Sequence, residues 1–197
     1  MSQSLRRGVS IEAFWAIPET ERFHEFYGGE LVPKATPSGE HGGAQVGVAA
    51  AVAPRFQRPT GGGGVGGWWI ATEVEVKLET GEIVRPDVLG WRRERCPERP
   101  LGTPVQVRPD WICEIISPEN AKNDTVKKLR LYHLVAISHY WLLDPRDGTL
   151  TVMRWSQDGF VTVVRAERHE IVHAEPFDAL ALSVSALFGD DPPMDPP

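Results

Sequence analysis

The stretch "PDWICEIISPEN", residues 109–120, sets a carboxylate, Glu114, inside an apolar run of Trp111, Ile112, Cys113, Ile115 and Ile116. An unbroken run of this kind marks a strand covered on both faces, which places "VQVRPDWICEIIS" (105–117) at the centre of a sheet. A glutamate in that setting has two explanations. Either it faces solvent from a half-buried strand, or it is held inside by a cation, because burying it unpaired costs several kcal/mol, on the order of the polar-transfer penalty or more.

Downstream, "DTVKKLRLYHLVAI" (124–137) carries apolar residues at 126, 129, 131, 132 and 135, one face of a helix that Asp124 caps or charges at its start. "HYWLLDP" (139–145) returns to a strand, "TLTVMRW" and "GFVTVVRAE" form a hairpin, and "FDALALSVSALFG" supplies a short strand and a Ser-capped helix. Upstream, "WWIATEVEVKLE" (68–79) alternates as one strand and "IVRPDVLGW" (83–91) as a second. "EHGGAQVGVAAAVAPRF" (40–56) has the small, apolar make-up of a buried helix. Gly28-Gly29 in "ERFHEFYGGELVPK" predicts a hairpin, since paired glycines supply the positive φ of a tight primed turn. "VSIEAFWAIP" reads as a short helix capped by Ser10 and ended by Pro18. Strands flanked by helices, with several hairpins, predict an α/β (α+β) fold with a mixed sheet.

Composition narrows the function classes. The 197 residues are 41% hydrophobic, enough for one self-sufficient core, and the expected organisation is a single domain over 1–189 with an acidic, proline-rich, disordered tail at 190–197. The apolar run "VGVAAAVA" is far short of the roughly 20 residues of a membrane span, so no membrane association is expected. "MSQSLRRG" lacks a signal-peptide core and the two cysteines have no paired spacing, which together suit a soluble protein of the cytoplasm. The net charge of −6 argues against a broad nucleic-acid-coating surface and leaves room for a local cleft. The run "TGGGGVGG" lacks the Gly-Lys-Ser/Thr of a phosphate loop and reads as a mobile connection.

"HEIVH" (169–173) matches the zinc-protease motif to the letter, with Glu170 in the place of the base. That chemistry requires a helix, where i and i+4 lie within roughly 6 Å; on a strand they stand about 13 Å apart. The alternating residues before it and Pro176 after it make the context strand, so zinc is not expected.

The prolyl-aspartates Pro86-Asp87 and Pro109-Asp110 both precede strand residues. Asp110 shares a strand face with Glu114 but lies about 13 Å away, too far to share an ion. Asp87 belongs to another strand, and sheet pairing can bring it beside Glu114. Two such carboxylates make a hard oxygen site of the kind Mg²⁺ prefers.

"RPDVLGW" followed by "PDWICEIISPENAKNDTVKKLRLYHLVAISHYWLLDP" resembles the Uma-type family of restriction-endonuclease-like proteins, within the PD-(D/E)xK nuclease superfamily; the likeness is collinear from about Phe23 to Pro145. It implies a restriction-endonuclease-like fold and a site carried by Glu25, Asp87, Glu114, Asp124 and Lys128, with His41 near a histidine the family often has. Gly28 stands where the family usually has Asp, and "VAISHYW" replaces "xxGVxEYW". In the superfamily a lysine follows the glutamate by two residues; here that position is Ile116, and Lys128, four residues before Tyr132, takes the role. Lys127, about 100° around the helix, points elsewhere.

Each residue also has a plain reading. Asp124 can be a helix-start carboxylate, Lys128 a solvated helix residue and Glu25 a cross-strand partner, while His41 either contacts phosphate or hydrogen-bonds at a helix start. The resemblance implies a Mg²⁺-dependent endonuclease, with Mn²⁺ able to substitute, that cuts DNA by metal-activated water. In it Asp87, Glu114 and Glu25 hold the metal and Lys128 positions the nucleophile; a homodimer fits cleavage of both strands. The alternative is a nuclease-fold binding module without turnover, supported by the negative charge and the missing strand lysine.

Overall fold

The computed structural model describes residues 8–60, 65–118 and 121–190. In chain order these form α1 (Ile11–Trp15), β1 (His24–Tyr27), β2 (Glu30–Pro33), α2 (Gly39–Phe56), β3 (Trp68–Thr72), β4 (Val76–Lys77), β5 (Ile83–Val84), β6 (Val88–Arg92) and β7 (Trp111–Ile115). A π-helical turn, Asn123–Lys128, then leads into α3 (Leu129–Leu134), followed by β8 (His139–Asp144), β9 (Thr149–Ser156), β10 (Gly159–Glu167), β11 (Ile171–His173), β12 (Ala181–Ser183) and α4 (Val184–Leu187). Residues 1–7, the glycine run at 61–64, residues 119–120 and the expected tail from 191 lie outside the described residues. Asp190, at the head of the expected tail, is described and accepts a hydrogen bond from Arg168 Nε at 2.7 Å.

Strand β7 is central, as its apolar run predicts: the six-stranded sheet is ordered β10-β9-β8-β7-β6-β3. Its pairing with β8 is parallel and its pairing with β6 antiparallel, so the sheet is mixed. A parallel neighbour requires a crossover, and the π turn and α3 supply it. Because strand side chains alternate, β7 feeds two cores. Trp111, Cys113 and Ile115 join α2 and α4 on one face, while Ile112 joins Leu131, Tyr132 and Tyr140 on the other. Glu114 shares the face of Ile112 and so points beneath α3.

Helix α2 covers the first face with its small residues. Gly47 lies against α4 so closely that an added Cβ would stand 2.5 Å from the Ala186 carbonyl oxygen and 2.6 Å from that of Leu187. Gly47→Ala is therefore expected to cost about 1–3 kcal/mol, the usual range for overpacking, seen as a lower urea midpoint with unchanged slope. At the hairpin of β1 and β2, Gly28 and Gly29 hold φ of +61° and +71°, as the paired glycines predict.

Three sequence expectations are corrected. The alternating segment 68–79 is not one strand, nor is 83–91. Each breaks at the same level, β3 and β6 remaining in the large sheet while β4 and β5 join β1 and β2 in a four-stranded sheet of order β2-β1-β5-β4. The break is local chemistry. Pro86 has no N–H for the ladder, and Glu73 turns to φ +55°, its N–H shared between the carbonyls of Pro86 and Asp87 at 3.2 and 3.3 Å. The long strand expected over 105–117 shortens to Trp111–Ile115, because Pro109 interrupts the ladder and the Asp110 carboxylate turns to Arg95 and the N–H of Arg92. Ser10 and Ser183 stand at helix starts but make no side-chain cap bond.

Candidate active site

The breaks in the two β segments and the end of β7 converge under α3. Val88 pairs with Cys113 in the antiparallel register, so one step further Asp87 lies beside Glu114, as the strand argument anticipates. The Asp87 Oδ2 atom accepts the N–H of Ile115 at 2.7 Å, which ties the aspartate to the end of the central strand.

The opening question about Glu114 has its answer in Lys128. Glu114 is 1% exposed and Lys128 3% exposed, and the Lys128 ammonium lies 3.0 Å from Glu114 Oε1, 3.0 Å from Glu25 Oε2 and 3.4 Å from Asp124 Oδ1. The π-helical turn aims Asp124 and Lys128 inward together; such turns insert a residue and often occur at functional sites. Lys127 points outward to Glu30 at 2.8 Å, as the helical angle between neighbours requires. Tyr132, one turn beyond Lys128, donates its hydroxyl to Glu114 Oε1 at 2.7 Å, and Tyr140 donates to the Asp124 carbonyl at 3.0 Å. The plain readings of Lys128 as solvated and of Asp124 as a simple helix-start charge do not describe these contacts. Glu25, on β1, also accepts the N–H of Arg85 at 2.7 Å.

A second ammonium, missed in the sequence, faces Asp87. Lys34 directly follows β2, its Nζ 2.9 Å from Asp87 Oδ1 and 2.9 Å from Glu73 Oε2, and it also donates to the Arg85 carbonyl. Gln45 on α2 donates to the Asp87 carbonyl at 2.9 Å and to Glu73 Oε1 at 3.3 Å. His41 enters from the first turn of the same helix. Its N–H is capped by Ser38 Oγ at 3.2 Å, while ring Nε2 lies 3.3 Å from Asp87 Oδ1. Its buried Nδ1 has no hydrogen-bond partner among the described residues. Lys34 was hidden because a lysine ending a hairpin strand ordinarily reads as a solvated edge charge; Glu73 was hidden by the alternation around it. The positive φ of Glu73 is the kind of backbone strain that collects at functional sites.

Glu25, Lys34, Asp87, Glu114, Asp124 and Lys128, with His41, line one small cavity of about 30 Å³. That volume holds an ion or one or two waters. Burial pushes Glu114 up to about 8 and Asp124 up to about 6, in both cases against the pull of Lys128. Asp87 is buried too, yet the His41 hydrogen bond and the Lys34 charge hold it well below the ordinary carboxylate range. Burial alone would lower Lys128, but Glu114, Glu25 and Asp124 outweigh it and keep the ammonium charged.

Four carboxyl groups, those of Glu25, Asp87, Glu114 and Asp124, therefore meet the ammonium groups of Lys34 and Lys128 in this cavity, and the exposed Glu73 reaches Lys34 from outside it. The excess of carboxyl over ammonium groups, which adds to burial in raising Glu114 to about 8, the oxygen donors around the cavity and the unpartnered His41 Nδ1 fit a divalent cation, whose charge would take the place of that proton. Ligand atoms of His41, Glu73 and Asp87 lie within 4.8 Å of one another. Of the three metal-binding residues expected from sequence, Asp87 belongs to this group, whereas Glu25 and Glu114 face the same cavity through Lys128.

Two other motifs fall away from the site. Asp110 is 2.7 Å from Arg95 Nε at the far end of β6. In "HEIVH", residues 171–173 are strand β11, His173 Nδ1 contacts the Asp178 carbonyl at 2.7 Å, and Glu170 accepts the N–H of Glu167. No helix carries the two histidines on one face, so the zinc motif is a chance match.

A mixed sheet closed by a crossover helix over a recessed carboxylate and lysine centre defines a restriction-endonuclease-like protein. The chain belongs to the Uma2 family: the family model, described as "Putative restriction endonuclease", matches residues 11–185. The crystal structure of a "putative nuclease belonging to DUF820" from Anabaena variabilis ATCC 29413 is similar in fold, with a TM-score of 0.68 and 23% identity over 91% of this chain and 97% of that one. The DrdV–DNA complex shares 16% identity over 64% of this chain and 10% of that one at a TM-score of 0.35, too low to bear on fold or function. No curated protein matches the chain. Among the described residues no helix is long and apolar enough to cross a membrane.

Proposed function

We propose that this protein is a divalent-metal-dependent endonuclease that hydrolyses phosphodiester bonds of DNA. The observation that carries the reading is a buried cavity of ion size lined by four carboxyl groups, those of Glu25, Asp87, Glu114 and Asp124, against the two ammonium groups of Lys34 and Lys128. Asp87 and Glu114 would hold the ion and Glu25 would support it, with Mg²⁺ the resident metal and Mn²⁺ a substitute. When bound, such an ion lowers the pKa of a coordinated water and offsets charge on the phosphoryl oxygens.

The remaining work falls to the chain's own groups. Lys128 holds Glu25 and Glu114 in one orientation, and its ammonium is fixed where it orients an attacking water. Tyr132 fixes the rotamer of Glu114, and the rigid β7 backbone fixes both Glu114 and, through the N–H of Ile115, Asp87. Ile116, buried at the position of the superfamily lysine, leaves the ammonium role to the helix. Solvent is limited because the charged groups are almost wholly covered. A homodimer in the cytoplasm, cutting both strands, is the assembly this reading favours.

The test is cleavage of circular DNA, offered both single-stranded and supercoiled, with Mg²⁺ or with EDTA. Wild type is expected to nick only with metal, and Glu114→Gln, which keeps the size of the side chain, is expected to be folded and inactive. Metal-independent cleavage, or full activity in Glu114→Gln, would refute the assignment. The rival reading, a nuclease fold that binds without turnover, predicts no nicking and does not require the metal uptake that calorimetry should find for an active site.

A further inference from the structure

Beside the buried centre lies a larger cavity of about 360 Å³, lined by Phe23, Lys34, His41, Gln45, Glu73 and Arg85 among others. It is the size of a small-molecule site, which runs to roughly 300–1,000 Å³, and it shares Lys34 and His41 with the carboxylate cavity. Three features of its lining bear on what it would hold. The Phe23 ring is 62% exposed, although it lies two residues from buried Glu25. Lys34, held at the junction of the two cavities by Asp87 and Glu73, carries a charge toward both. Arg85 keeps a buried Nε without a hydrogen-bond partner among the described residues, although its Nη2 atom contacts Glu75 and the Arg22 carbonyl.

An exposed aromatic ring and two cations, Lys34 paired with Asp87 and Glu73 and Arg85 paired with Glu75, beside an acidic centre match one ligand chemistry, that of a nucleotide, whose flat apolar base meets the ring and whose anionic linkage competes with Glu73 for Lys34. Accordingly, we propose that this cavity is a nucleoside subsite. The base next to the scissile phosphate stacks on Phe23, and the phosphate at the cavity junction meets Lys34.

The proposal rests on the nuclease reading and sharpens it to a substrate class. A base seated against Phe23 is neither paired nor stacked on its own neighbour, so the strand that is cut is single-stranded or locally unpaired. The charge of the protein supports this. With a net charge of −6 the chain lacks the broad positive surface that holds duplex DNA by its phosphates, whereas stacking is independent of such a surface and suits any base. Local attachment fixes the platform: the Phe23 carbonyl accepts the N–H of Lys34 at 2.9 Å, so ring and ammonium belong to the two ends of one hairpin.

The experiment is steady-state cleavage, with Mg²⁺, of a labelled single-stranded oligonucleotide and of the matched duplex by wild type, Phe23→Ala and Phe23→Trp. The ring is exposed, so neither substitution removes core packing, and circular dichroism melts verify that. Phe23→Ala is expected to raise KM for the single strand by about 5- to 100-fold, the range of one lost base stack, with kcat within about threefold by the same argument. Phe23→Trp is expected to retain the wild-type KM, and wild type to prefer the single strand by kcat/KM. A wild-type KM in Phe23→Ala, or equal use of the duplex, would overturn the subsite while leaving the nuclease reading in place. No metal-dependent cleavage of either DNA by wild type would overturn both.

Discussion

Lys128→Met is expected to destabilise the protein by about 3–5 kcal/mol in EDTA, the loss typical when one partner of a buried ion pair is removed. The ammonium is the shared counter-ion of Glu25, Glu114 and Asp124, and methionine has the length but not the charge. The carboxyls respond by taking up protons, so the loss depends on pH. Burial already raises Glu114 to about 8 with Lys128 in place. A carboxyl whose folded pKa is raised contributes stability below its unfolded pKa of about 4.3 and loses it as pH rises through the folded value. In Lys128→Met that pKa rises further. The deficit is therefore expected to be small near pH 5 and to grow toward pH 9 in urea melts at a series of pH values. Millimolar Mg²⁺ is expected to restore part of the lost stability, since a divalent ion replaces the missing positive charge. A deficit that shrinks as pH rises would show that the carboxylates are not held together by Lys128.

Asp87→Asn is the second large effect, and it separates chemistry from folding. Asparagine retains the shape of the side chain and an acceptor for the N–H of Ile115, but it loses the charge that faces Lys34 and His41. Outer groups around a metal cost about 10- to 100-fold when removed, and a direct ligand should cost at least as much, so cleavage is expected to fall by at least about a hundredfold. The Asp87 pKa is held well below the ordinary range. Its ionised form thus contributes stability above about pH 4 and loses it in acid. The mutant is expected to be less stable than wild type at neutral pH and to converge with it in strong acid. Unchanged nicking by a folded Asp87→Asn protein would remove Asp87 from the site.

The sequence made the centre legible because its members sit on regular elements. An apolar run with one carboxylate located β7 and Glu114, sheet pairing offered Asp87 as its neighbour, and the family resemblance pointed to Lys128, with helical spacing keeping Lys127 out of the same site. What alternation concealed was the break between the sheets. Residues 68–79 keep a period of two through Glu73, and nothing in that pattern announces a residue at φ +55°. Lys34 was concealed for a related reason: its partners Asp87 and Glu73 come from segments about forty or more positions away, and only tertiary assembly turns an edge lysine into a half-buried counter-ion. The cap serines show the opposite error, since Ser10 and Ser183 occupy the expected positions without making the expected bonds.

The central claim is that the cavity bounded by Asp87 and Glu114 is a divalent-metal centre. It is tested most directly by crystals soaked in Mn²⁺ and measured at the manganese absorption edge. An anomalous peak coordinated by the Asp87 and Glu114 carboxylates, absent from Asp87→Asn crystals soaked alongside, is the predicted result. A cavity without manganese in wild-type crystals, with Lys34 and Lys128 still paired as they are here, would contradict the account.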